Sequence, residues 1–239
     1  MQLDEKWSYV GKKEKHCDPG DPADGCRGDQ WDHVALDPDS RLVLQVVVGK
    51  RRLGNAVLLL GGVRDRLGGR VPALVTSDEY PAYPEALLAV FGVEQVPPRT
   101  GTPGRPAGPR VVPPAGMTYG TVHKTREQGR VVRVEARTAF GDAAPGGVST
   151  SYLERQNATD RHRNARKGRK TYRFSKDWEV HAALTAYTLY SYNFCWPVRT
   201  LRQKAAAGRW QPKTPAMAAG LADHVWSLEE WVTLPAVQR

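Results

Sequence analysis

Residues 73–92 read ALVTSDEYPAYPEALLAVFG. The first five letters are a short apolar run of the buried-strand type, and Asp78 follows directly after them. After a turn that contains proline, apolar residues recur until Gly92, as in a helix that a glycine closes. A buried strand followed at once by a helix is typical of α/β proteins, so this stretch decides the fold class.

Three β-rich runs precede this strand and helix. They are LDEKWSYVG, WDHVALD and RLVLQVVVG, and the turn sequence DPDS separates the last two, which predicts an antiparallel meander. Residues 51–66 then carry apolar side chains at helical spacing, and Gly68 and Gly69 end that helix. Other mixed α/β folds begin in this way too, but we predict an α/β fold with a ribonuclease H-like mixed sheet flanked by helices.

The pattern changes after residue 92. The segment VPPRTGTPGRPAGPRVVPP cannot form a continuous helix or a central strand because of its proline and glycine content, and we predict an exposed insertion at about 93–130. TVHKTRE and RVVRVEARTAF predict a hairpin around Gly129. In its second strand the alternate residues Val132, Val134 and Ala136 should face the core.

Helices dominate the rest of the chain. One helix should contain Glu154, a second should lie in FSKDWEVHAALTAYTLYSYNF before Pro197, and LADHVWSLEEWV is an amphipathic candidate. We therefore predict a catalytic domain over residues 1–196, interrupted by the insertion. A linker and a helical tail should occupy residues 197–239.

The composition indicates an anionic partner. Lysine and arginine outnumber aspartate and glutamate by 35 to 25 in 239 residues, and the pI is near 9.7, which favours nucleic acid or an acidic membrane surface. Three cysteines leave one unpaired in any disulfide scheme, and no signal sequence is evident, so we expect a reduced, cytoplasmic protein. No apolar run approaches the ~20 residues of a membrane span, and we expect no membrane partner.

Three acids could form a metal site in this basic chain. Asp4 lies in the first predicted strand, and Asp78 lies at the carboxyl end of its strand, where open α/β sheets usually place ligands. Glu154 would join them from a helix packed across that edge. Two-metal phosphodiester chemistry needs such a carboxylate cluster with cations around it.

The helix that begins near Glu154 carries the cations. Asn157 and Arg161 lie three and seven residues beyond Glu154, so all three fall within about 60° of one helix face. We predict that this face holds a metal ligand followed by groups that bind DNA. Further cations extend the positive field and are expected to contact phosphates: Arg163, Arg166, Lys167, Arg169 and Lys170.

Each feature also has a structural alternative. Asp78 precedes a helix and could be its N-cap, while Glu154 lies three residues after Ser151, which is the spacing of a capping box. The basic run could be a solvated face. Cys17 and Cys26 are separated by eight residues, which argues against a zinc knuckle and favours a polar loop between two strands.

Several blocks of the sequence resemble one family. DEKWSYVG, TSDEYPAY, YLERQN, FSKDWEVH and PAMAAGLADHVWSLEEW look like the corresponding blocks of bacterial DDE transposases of the type encoded by insertion sequence one. The similarity runs from residue 3 to about 232, apart from the loops. It implies that Asp4, Asp78 and Glu154 are the catalytic metal ligands, that Arg161 is the basic residue two turns after the glutamate, and that His181 can support the metal site.

The resemblance also implies a reaction and partners. Two Mg²⁺ or Mn²⁺ ions would assist cleavage at a transposon end and attack of the freed 3′-hydroxyl on target DNA. We expect double-stranded DNA as the partner, a homo-oligomer on DNA, and a location at the nucleoid. The chain begins three residues before Asp4, so we expect a DNA-binding module encoded upstream to recognise the ends. The alternatives are a ribonuclease H-like nuclease or resolvase, and a decayed DNA-binding remnant of a mobile element.

Overall fold

The computed structural model describes residues 1–97, 108–142, 147–205 and 208–234. These ranges contain ten strands and six α-helices. The strands are β1 Gln2–Val10, β2 Gly28–Leu36, β3 Val43–Gly49, β4 Leu74–Asp78, β5 Val93–Gln95, β6 Arg110–Val112, β7 Thr118–Glu127, β8 Arg130–Phe140, β9 Gln203–Lys204 and β10 Trp210–Gln211. The α-helices are α1 Leu53–Arg66, α2 Ala82–Phe91, α3 Ser151–Arg163, α4 Trp178–Cys195, α5 Pro215–Ala218 and α6 Leu228–Thr233.

The chain divides into two compact units. The central unit consists of Met1 and Arg52–Thr150, and the discontinuous unit consists of Gln2–Arg51 and Ser151–Arg239. Both units combine helices with strands, which confirms the α/β class. The ribonuclease H-like arrangement and the boundary at residue 197 stay predictions. None of the helices in the described ranges is both long and apolar enough to span a membrane.

The discontinuous unit is built on the predicted meander. β1 pairs antiparallel with β2, from Gln2 opposite Leu36 to Val10 opposite Gly28, and β2 pairs antiparallel with β3. The DPDS turn joins β2 to β3, and there the carboxylate of Asp37 accepts a hydrogen bond from the backbone N–H of Ser40 at 3.0 Å. Aspartate therefore closes this turn with its own side chain, as its position in the sequence predicts.

Two helices cover one side of these strands. α3 packs on β1 and α4 packs on β3. Their shared core consists of Val34, Leu36, Val43, Leu153, Leu189 and Tyr192. Asn193 of α4 also bonds the backbone of Val43 twice, because its Oδ1 accepts from the N–H and its Nδ2 donates to the carbonyl, both at 2.9 Å. One buried amide thus fixes α4 against β3.

The starts of two helices follow from side-chain caps. Asp177 accepts from the backbone N–H of Val180 at 2.8 Å, so α4 begins at Trp178. The predicted tail helix over LADHVWSLEEWV is too long, because Ser227 and Glu230 form a capping box that starts α6 only at Leu228.

The central unit contains a parallel strand pair. β4 pairs parallel with β7, from Leu74 opposite Thr118 to Asp78 opposite Val122, and β7 pairs antiparallel with β8. α1 packs against α2, and both bury an apolar face that includes Leu59, Leu60, Tyr83 and Leu87. The helix α2 lies between β4 and β7 in the chain, as a parallel connection requires.

The two ends of the predicted insertion form β-strands, where we predicted an exposed loop. β5 and β6 form a short antiparallel ribbon with Val93 opposite Val112, and β7 already begins at Thr118. Residues 98–107, the most proline- and glycine-rich part, lie outside the described residues.

The prediction that Val132, Val134 and Ala136 of β8 face the core is wrong. Val132 and Val134 are 51% and 61% exposed, and Ala136 is exposed too. β4 pairs with β7 only as far as Val122, so most of the β7–β8 hairpin extends beyond the end of β4. Alternation along β8 therefore does not correspond to burial.

Candidate active site

The face of β1 that carries Asp4 is joined to α3 by three polar contacts. Side chains on one face of a strand repeat about every 6.6 Å, and a helical turn advances about 5.4 Å, so the two elements can run side by side in register. The contacts are Gln2 Oε1 with the N–H of Leu153 at 2.9 Å, Asp4 Oδ2 with Asn157 Nδ2 at 2.6 Å, and the ammonium of Lys6 with the carboxylate of Asp160.

Two N–H donors orient the carboxylate of Asp4. Its Oδ1 accepts from the backbone N–H of Glu5 at 2.8 Å, and its Oδ2 accepts from Asn157. Asn157 is only 5% exposed, which leaves little of its side chain for a DNA contact. The structure therefore makes Asn157 the partner of Asp4, in place of the direct DNA contact that we expected.

Glu154 and Arg161 lie on the same helix as Asn157. Glu154 is exposed in the first turn of α3, one turn before Asn157. Arg161 is half-buried near the end of α3. Burial and then Arg169 lower the pKa of Arg161, and Asp4 opposes this shift. The Asn157 bond thus fixes the helix that carries Glu154 and Arg161 to the strand that carries Asp4.

Asp78 is the last residue of β4 in the central unit, at the carboxyl end where the sequence predicts it. α2 begins at Ala82 after Pro81 at the N-cap, so Asp78 does not occupy the N-cap position. The neighbouring acid, Glu79, pairs with His123 and with Arg137, the latter at 2.8 Å. The bond from His123 is the main cause that lowers the pKa of Glu79.

The predicted phosphate-binding cations differ in their surroundings. Arg163 is half-buried, donates to the carbonyl of Thr188 at 3.1 Å and lies over the ring of Trp196 at 4.7 Å, so it links α3 to α4. Arg166 is half-buried, while Arg169 and Lys170 are exposed. These last two remain the most accessible cations of the basic run.

Lys167 is buried in a network of charges. Its ammonium contacts Asp32 Oδ1 at 2.7 Å, and the ammonium of Lys6 lies 3.3 Å from Asp32 Oδ2 and pairs also with Asp160. These four side chains are at most 4% exposed, and their formal charges cancel. Lys167 therefore holds an internal carboxylate and has almost no surface for phosphate, contrary to the expected role.

Burial and charge act in opposite directions on the pKa values of this network. Burial favours the neutral form of each group, and it lowers the pKa of Lys6 to about 8 in spite of the attraction to Asp32. For Asp32 burial would raise the pKa, but Lys167 and Lys6 together outweigh it and lower the pKa to about 2. Asp32 is therefore ionised at neutral pH.

His181 of α4 extends the network as a neutral base. Its Nε2 lies 2.9 Å from the Lys167 ammonium, which can only donate. Nε2 therefore accepts, and Nδ1 carries the proton and donates to Ser175 Oγ at 2.7 Å. Burial, followed by the charge of Lys167, lowers the pKa of His181 to about 4. The supporting role of His181 beside metal ions stays a prediction, and its observed contact is with Lys167.

The loop between β1 and β2 is polar, as predicted. Cys17 and Cys26 carry free thiols, and the carboxylate of Asp24 organises the loop. It accepts from the backbone N–H of Asp18 at 2.8 Å and pairs with Lys12 at 2.6 Å. The Asp24 carboxylate thus links Asp18 and Lys12 within the loop.

The sequence analysis did not predict the charge network, although the polar residues along β1 indicate it. Lys6 and Ser8 alternate with Glu5 and Trp7 along β1, and therefore share the face that carries Asp4. A polar stripe on a strand face that a helix must cover indicates buried partners.

In comparisons with known proteins, no family model matches the chain and no curated protein shows significant similarity to it.

Proposed function

We propose that this chain is the catalytic domain of a DDE-type transposase, which cleaves DNA at transposon ends and joins the freed 3′-hydroxyl to target DNA. One observation carries the proposal: the bond between Asn157 and Asp4 ties the helix that bears Glu154 to the strand that bears Asp4. Asp4 on the strand and Glu154 on the helix would each supply a carboxylate to a two-metal site. The family resemblance implies Asp78 as the third carboxylate.

The donor set suits Mg²⁺ or Mn²⁺. Asp4, Asp78 and Glu154 offer carboxylate oxygens, the ligands that these hard cations prefer. The two N–H bonds to Asp4 hold its carboxylate in one orientation. Bound there, two ions would activate the attacking hydroxyl and stabilise the leaving oxygen.

The chain's own residues would have distinct tasks. Asn157 orients Asp4, while the guanidinium of Arg161, further along the same helix, would neutralise the phosphate beside the reacting centre. The exposed Arg169 and Lys170 would bind the backbone of duplex DNA, the partner that the net charge of +10 favours.

Metal binding and strand transfer test the proposal. We expect the chain to bind Mn²⁺ in a calorimetric titration and Asp78→Asn to lose most of that binding. Glu79→Gln is the matched control, because it removes the adjacent acid that pairs with His123 and Arg137. Equal metal binding by Asp78→Asn and the parent chain would refute the assignment of Asp78.

The second assay separates a transposase from a nuclease. A labelled duplex with a pre-cut 3′-hydroxyl, taken from the DNA that flanks the gene, is incubated with plasmid and Mg²⁺ or Mn²⁺. With the DNA-binding segment encoded upstream fused or supplied in trans, we expect a joined product with the parent and with Glu79→Gln, and none with Asp78→Asn or Glu154→Gln. Cleaved plasmid without any joined product would favour a nuclease, and neither product would favour a decayed site.

A further inference from the structure

A basic ribbon follows α4 in the discontinuous unit. We call residues 197–213 the C-terminal ribbon, which contains β9 and β10 and no acid. Its cations are Arg199, Arg202, Lys204, Arg209 and Lys213. The segment therefore has no acid of its own to balance these cations. A cluster of cations is by itself common on surfaces, and the aromatic residue among them is the more informative feature.

Trp210 lies exposed at the centre of these cations. It pairs across the ribbon with Lys204, and the residue is 51% exposed. The guanidinium of Arg202 lies 4.2 Å from the ring centroid and the ammonium of Lys204 lies 5.6 Å from it. The cations therefore hold the indole in place while half of it stays open to solvent.

A shallow cleft of about 260 Å³ opens beside the indole. Besides Trp210 and Arg202, its walls include Pro197, Val198 and Pro212. The backbone bond from Val198 N to the carbonyl of Lys213, 3.0 Å long, closes the base of the segment. Apolar side chains together with the cations Arg199 and Arg202 in one cleft lining suit a planar ring attached to an anion.

We propose that the C-terminal ribbon binds single-stranded nucleic acid, with one unpaired base stacked on Trp210 and the adjacent phosphates held by Arg202 and Lys204. A base offers a flat face for stacking, and each phosphate supplies the charge that the segment lacks. Duplex DNA keeps its bases stacked on one another and offers only phosphates. The proposal uses none of the carboxylates of the candidate active site and does not depend on the transposase assignment.

The test is fluorescence anisotropy with a labelled oligodeoxythymidylate of about twelve nucleotides, in EDTA so that no metal site takes part. Trp210→Ala should weaken binding by about fivefold or more, the loss of one stacked base, and Trp210→Phe should retain most of the affinity. Trp196→Ala is the matched control, because Trp196 is also exposed beneath an arginine but lies outside the cleft lining. We expect that control to bind like the parent.

Two further measurements identify the ligand. Arg202→Gln should flatten the dependence of log affinity on log salt by about 0.7 for a single-stranded ligand. Trp210→Ala should leave the affinity for a blunt duplex and for vesicles of anionic lipid unchanged. The proposal fails if Trp210→Ala binds the oligonucleotide like the parent, if Trp196→Ala loses as much, or if duplex or vesicle binding falls by the same factor.

Discussion

Acidification should destabilise the protein through His181. The ring is neutral when folded because Lys167 donates to its Nε2 and burial lowers its pKa to about 4, whereas an unfolded histidine has a pKa of about 6.5. Between these two pH values the unfolded chain binds one more proton than the folded chain. Stability therefore falls as the pH decreases from 6.5 towards 4.

The magnitude follows from the two pKa values. The pKa of His181 is about 6.5 in the unfolded chain and about 4 in the folded chain. This difference lowers the free energy of unfolding by roughly 2 kcal/mol between pH 7 and pH 5. Urea unfolding at the two pH values measures the loss, and His181→Gln isolates it, because glutamine can still accept from Lys167 but does not titrate. We expect the variant to lose about 2 kcal/mol less than the parent over this range.

The other histidines do not affect the comparison between the parent and His181→Gln. His33 is buried, and burial lowers its pKa as well, but it is present in both the parent and His181→Gln, so its contribution cancels. His162→Gln is the control, because His162 is exposed on α3, and this variant should follow the parent at both pH values. If the parent and His181→Gln lose the same free energy of unfolding, the neutral buried imidazole is refuted.

Two further predictions concern stability. Lys167→Met should lower the free energy of unfolding by roughly 3–5 kcal/mol, because it leaves Asp32 buried with one cation fewer. Adding Asp32→Asn should restore part of this loss. Additive losses in a double-mutant cycle measured by urea unfolding would contradict the pairing. Asn193→Ala should cost about 1–3 kcal/mol, because both backbone groups of Val43 lose a buried partner. An unchanged urea midpoint for Asn193→Ala would show that this amide does not hold α4 to β3.

Local periodicity predicted the order of the main elements. Short stretches of sequence predict a strand that leads to Asp78 and a helix that ends near Gly92. The structure contains both, as β4 and α2. Asp4 and Glu154 likewise lie in the strand and the helix predicted for them. These features depend on contacts a few residues apart, which a sequence displays directly.

Burial depended on contacts that no local pattern contains. Val132 and Val134 alternate as a half-buried strand should, yet both are exposed because their hairpin extends past β4. Lys167 stands in a run of cations that resembles a DNA-binding face, but it turns inward to Asp32, 135 residues away. Asp32 lies on β2 opposite Lys6 of β1, so this partner could have been identified only once the strand pairing and the segment that covers it were known.

The discontinuous unit has a consequence for synthesis on the ribosome. Its first three strands are complete at Gly49, but the helix that supplies Leu189 ends only at Cys195. At about 5–20 residues per second, roughly 7–30 s separate the two. The apolar side of the nascent sheet has no helical cover until α3 is synthesised from Ser151 onward, and its cover is complete only with α4. A chain released before Ser151 never acquires it. Translation pauses in the central unit therefore prolong the stage most exposed to aggregation and to chaperone capture.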